Sequence, residues 1–77
     1  MPAAFVLINS DLDKEADVLE ALKKIEGVKL AYALYGTYDI IARVSSDSVD
    51  ELKQIITSNI KKLAGIRVTL TMMIHET

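Results

Sequence analysis

Seventy-seven residues leave room for one domain, and nine Lys and Arg against eleven Asp and Glu give a net charge of −2. There is no basic stripe of the kind that tracks a phosphate backbone, so direct nucleic-acid binding is not expected; Lys23–Lys24 and Lys61–Lys62 read as solvated pairs. Cysteine is absent, which removes disulfides and thiolate metal sites, while 51% hydrophobic residues exceed what so small a core absorbs and point to self-association.

The apolar run Ala3 to Asn9 reads as a strand buried on both faces. It is too short for a signal peptide core or a membrane span, and the expectation is a cytoplasmic chain without membrane contact. Ser10-Asp11-Leu12-Asp13 supplies helix-capping types, and a first helix is expected from about Asp13 to Glu26. Val18, Leu19, Leu22 and Ile25 lie on its inner face, and Gly27 acts as the stop. Val28 to Tyr35 alternates as a second strand, Gly36-Thr37 turns, and Tyr38 to Ser45 forms a third, so the pair predicts a hairpin.

Ser48-Val49-Asp50-Glu51 matches a capping box, opening a second helix with Leu52, Ile55, Ile56, Ile60 and Leu63 at helical spacing and Gly65 as its stop. The last strand is expected over Ile66 to Glu76. The order βαββαβ with short connections predicts an α+β, ferredoxin-like domain over residues 1–77, a four-stranded antiparallel sheet with two helices on one face. Its first and third strands should be central.

If each strand turns its larger apolar set toward the helices, the other face carries Ala31, Ala33, Tyr35, Ile41, Arg43, Thr69, Thr71 and Met73. That face is too apolar to meet water. A sheet-to-sheet homodimer is expected to cover it.

Catalytic and metal groups do not converge. His75 is the single histidine, the three glycines are far apart, and no serine has an identifiable base, so the expectation is no enzyme, no metal and no cofactor. The segment needing explanation is Tyr35-Gly36-Thr37-Tyr38-Asp39. Asp39 can accept an ammonium, and the amides near Gly36 and Thr37 can donate to a carboxylate. Equally, Gly36 can take a positive φ while Asp39 or Thr37 ties the turn. Thr69 and Thr71 add two hydroxyls on one strand face.

The run Gly36-Thr37-Tyr38-Asp39-Ile40-Ile41-Ala42-Arg43-Val44 resembles the glycine–tyrosine–aspartate strand signature of the Lrp/AsnC ligand-binding domain, also called the RAM domain. Leu19 through Val28 resembles its helix-to-strand passage, and Leu63-Ala64-Gly65-Ile66 with Thr69-Leu70-Thr71 its approach to the last strand. Ala64 departs from the family's frequent proline. The resemblance implies sheet-to-sheet dimers, often four to an octameric ring, and amino-acid effectors bound in clefts between dimers. It puts Gly36, Thr37, Tyr38 and Asp39 in the effector loop, Thr69 and Thr71 beside it, and Thr57 and Ser58 at the end of the second helix. It also implies a form without the family's helix-turn-helix domain, acting in transcription regulation on its own or with full-length Lrp/AsnC regulators. Two other readings stay open: a small dimeric α+β-barrel enzyme of oxygenase or isomerase type, hinted at by Arg43 and Tyr32, and a ligand-free structural adaptor.

Overall fold

The computed structural model describes residues 1–75 and contains β1 (Ala3–Ser10), α1 (Glu15–Lys23), β2 (Val28–Ala33), β3 (Ile40–Ser45), α2 (Val49–Gln54) and β4 (Ile66–Met73). A π-helical segment, Ile55–Ile60, continues α2. The four strands form one sheet in the order β2-β3-β1-β4 with every neighbouring pair antiparallel, the ferredoxin-like arrangement with β1 and β3 central.

Side chains opposite each other across an antiparallel pair share a face, so the registers assign both faces. Ala4, Val6 and Ile8 lie beside Val44, Ala42 and Ile40 on the helix face. All six are completely buried, together with Val18 and Leu22 from α1 and Leu52, Ile56 and Ile60 from the second helix. On β2 this face receives Ala31, and on β4 it receives Thr69, Thr71 and Met73. The open face carries two rows that cross all four strands: Leu30, Arg43, Phe5 and Met72, then Tyr32, Ile41, Leu7 and Leu70.

This corrects the expected faces of the two edge strands. Ala31, Thr69, Thr71 and Met73 turn toward the helices, and the large apolar set of β2 and β4 turns outward beside Ile41 and Arg43. The reason is lateral room. Helix α1 packs against β2 closely enough to bury Ala31, where a leucine or tyrosine would not fit. The open face is therefore more apolar than expected: Leu30, Val68, Leu70 and Met72 are each about half exposed, and Tyr32 is 58% exposed.

Element bounds also differ. The first helix is shorter than Asp13–Glu26, and Lys14 at its start provides no side-chain cap. The strands of the hairpin stop at Ala33 and resume at Ile40, leaving a longer tip than Gly36-Thr37. The last strand ends at Met73, and Glu76, the expected end, lies outside the described residues. At the second helix the Ser48 hydroxyl accepts from the Glu51 amide at 3.1 Å, half of the expected capping box. Beyond Gln54 the hydrogen-bond step widens, with the Lys61 amide donating to the Ile56 carbonyl at 3.0 Å. The Thr57 hydroxyl donates to the Lys53 carbonyl at 2.9 Å beside this junction, a contact that bends helices.

Gly65 shows why one stop had to be glycine. Its φ is +94°, its carbonyl accepts from the Asp11 amide at 2.7 Å, and a Cβ there would lie 2.7 Å from Lys14 Cβ.

Candidate functional site

The hairpin tip divides into a free rim and a fixed base. Tyr35, Gly36 and Thr37 are exposed, with Tyr35 fully in solvent. Gly36 has φ +124°, and a Cβ there would meet nothing within 4 Å, so backbone conformation rather than crowding requires the glycine. Tyr38 and Asp39 are half-buried.

Asp39 joins three segments. Its carbonyl accepts from the Leu34 amide at 2.8 Å, closing the hairpin, and its amide donates to the Ile8 carbonyl at 2.9 Å. Carboxylate oxygen Oδ2 accepts from the Ser10 amide at 3.0 Å. One carboxylate oxygen therefore holds the end of β1, so the turn-tying role weighed for Asp39 is present. Oδ1 has no partner among the described residues and faces whatever approaches the tip. Ser10 Oγ is buried nearby, also without a partner among the described residues.

The other expected residues gather at the opposite edge of the sheet. Thr57 and Thr71 line a cleft of about 300 Å3 between the second helix and β4, with Lys53, Ile56, Lys61 and Met73. Thr57 already donates its hydroxyl proton to Lys53, so it offers a ligand only lone pairs. Thr69 is half-buried beside Ile8, one step further along the same face of β4. Ser58 is exposed on the helix and does not line this cleft.

The two groups do not meet within one chain. Ile40, Ile8 and Thr69 form one lateral row, so the base of the tip and Thr69 are separated by two strand spacings, about 10 Å. Thr71 lies a further two residues away. Tip and cleft thus face different parts of the surroundings, each with half of the expected contacts.

Sequence reasoning missed Ser10 as the partner of Asp39 and Lys53, Ile56, Lys61 and Met73 as cleft residues. The helical set carried a readable signal, since 53, 57 and 61 recur at four-residue intervals and form one stripe. Arg43 and Tyr32 do share the open face, among apolar neighbours. Among the described residues no three His, Cys, Asp or Glu side chains are placed to hold a metal ion, and no helix is long and apolar enough to cross a membrane.

Comparison with known proteins places this geometry. The family model of the Lrp/AsnC ligand binding domain matches residues 3–77. An uncharacterized HTH-type transcriptional regulator of Pyrococcus abyssi is 29% identical over 77 residues, covering 96% of this chain and 51% of the regulator. The chain thus spans about half the length of the curated regulators it matches. Among solved structures, FFRP-DM1 is 40% identical with a TM-score of 0.93, the match covering 97% of this chain and 100% of FFRP-DM1. The transcriptional regulator NMB0573 of Neisseria meningitidis, solved as an L-Met complex, shares the fold at 14% identity and a TM-score of 0.86 over 97% of this chain and 50% of its own.

Proposed function

The chain belongs to the Lrp/AsnC ligand-binding domain family, and from that membership we propose that its 77 residues are a single sensing and assembly module of transcription regulation. It binds an amino-acid effector and joins copies of itself. The open sheet face carries this reading. Two full rows of mostly large apolar side chains stand half exposed, a patch that a single small domain does not leave in water.

Two copies pack these faces together as a homodimer. Four dimers then close an octamer, bringing the hairpin tip of one copy toward the β4 side of another. The separation of tip and cleft supports this. Neither group surrounds a ligand alone, and a seam between dimers supplies both halves.

In that seam the effector lies against Gly36, Thr37, Tyr38 and Asp39, with Asp39 Oδ1 accepting the ammonium group and the tip amides donating to the carboxylate. Thr57, Ser58, Thr69 and Thr71 complete the site. The bound L-Met of the meningococcal regulator supports an amino acid as the ligand class. Signals reach DNA through Lrp/AsnC regulators that carry the DNA-binding part, and the module works in the cytoplasm without catalysing a reaction.

Isothermal titration against the twenty amino acids, paired with light scattering, tests the reading. Heat with one or a few amino acids and a dimer or larger particle are expected. A monomer with no heat removes both halves of the proposal. A dimer with no heat leaves the structural adaptor.

A further inference from the structure

The sheet has two outer edges, and they are not equally protected. A free edge invites another strand unless charge, proline or irregular pairing blocks it. On β2 the edge carries Lys29 and a pairing irregularity between Val28 and Leu30. On β4, residues Val68 to Met73 contain no charge, proline or glycine, and the one register shift lies before them, opposite Asn9 and Ser10.

The direction of the free main-chain groups follows from one bond. The Ile74 amide donates to the Ala3 carbonyl at 2.9 Å. By alternation Val68, Leu70 and Met72 also bond inward to β1, while Thr69, Thr71 and Met73 aim their N–H and C=O groups outward. The side chains of Thr71 and Met73 line the cleft with Lys53, Ile56, Thr57 and Lys61, and no carboxylate lines it.

We propose that the β4 edge and this cleft take up an extended acidic peptide segment as a fifth strand. Thr69, Thr71 and Met73 pair with its main chain, and Ile56 and Met73 receive an apolar side chain. Lys53 and Lys61 attract carboxylates on either side. The spacing agrees. Eight helical residues separate the two lysines, about 12 Å along the axis, and residues i and i+4 of a strand are about 13 Å apart.

Charge decides between this partner and a second copy. Antiparallel β4–β4 pairing would set the lysine rows of two copies against each other and bring no carboxylate to either. The surface stands whether or not a free amino acid binds at the hairpin tip.

The probe is a fluorescein-labelled, N-acetylated and amidated Thr-Glu-Thr-Val-Thr-Glu-Thr peptide, with its Lys-for-Glu counterpart, titrated into the intact protein by anisotropy. Saturable binding of the Glu peptide with Kd below about 1 mM is expected, with the Lys peptide at least about tenfold weaker. The Lys53→Glu/Lys61→Glu variant should reverse the preference. Amide exchange should slow at Thr69, Thr71 and Met73. Thr71→Pro should abolish binding with an unchanged circular dichroism spectrum, because that N–H makes no ladder bond. If Thr71→Pro does not fold, the exchange pattern of the unaltered protein decides. Equal binding of both peptides, no binding, or protection on β2 or the open face overturns the proposal. So does concentration-dependent protection of the same three amides without peptide, which would put a second copy on this edge.

Discussion

Leu70→Lys tests the open face directly. Leu70 keeps 44% of its surface exposed in the single chain, and complete burial of a leucine contributes about 1.5–3 kcal/mol. Covering what remains is therefore worth roughly 1 kcal/mol per copy, and a two-fold seam counts it twice. The new ammonium would join Arg43 on a face whose four strands contain no Asp or Glu. An uncompensated charge at such a seam adds about 3 kcal/mol or more. The sum, about 5 kcal/mol, weakens dimerisation by more than about a thousandfold. Sedimentation velocity from low to high micromolar concentration should show a dimer for the unaltered chain and a monomer for Leu70→Lys. The monomer stays folded because this side chain already meets water. Met73→Lys serves as the control: it stands opposite Ala4 on the helix face and should leave the mass unchanged. An intact Leu70→Lys dimer, or dissociation by Met73→Lys, would refute the assignment of faces.

Asp39→Ala should lower stability by about 1–2 kcal/mol in urea denaturation, since the Ser10 amide loses its acceptor. Asp39→Asn keeps an oxygen for that amide, so it should retain most of the stability while losing amino-acid binding by calorimetry; binding equal to that of the unaltered chain would remove Asp39 Oδ1 from the site. Gly65→Ala should destabilise by at least about 1 kcal/mol more than Gly36→Ala, because both need positive φ but only Gly65 is crowded. Equal midpoints in urea would contradict this. Ser48→Ala should cost about 1 kcal/mol through loss of the cap to Glu51, measured as a lower Tm without change of fold.

Much of the architecture was legible because it depends on local pattern. Val6 and Ile8 alternate with half-buried Phe5 and Leu7, and Ile40, Ala42 and Val44 alternate with Ile41 and Arg43, so the central strands are recognisable from β-forming residues at the expected spacing. The edge strands were misread because hydrophobicity names the larger side chains but not the side on which a helix comes close. Ala31 is buried because it is small, a steric fact with no signature in β2 itself. The tip was visible as a glycine–tyrosine–aspartate turn, yet the bond from Ser10 to Asp39 spans 29 residues and appears only when β1 meets β3. Likewise Thr57 and Thr71 became cleft neighbours through the packing of the second helix against β4, and local sequence does not encode that distance.

The widened stretch at Ile55–Ile60 has a consequence for how the chain tolerates change in length. Leu52 and Ile60 are both completely buried, yet eight steps of about 100° in a regular helix would leave them roughly 80° apart. Taking up one surplus residue makes the rotation equivalent to about seven steps, within roughly 20° of alignment. The segment therefore behaves as a slack loop in the winding. A relative shorter by one residue here can tighten it to an ordinary helix and still deliver Ile60 and Gly65 to the same places.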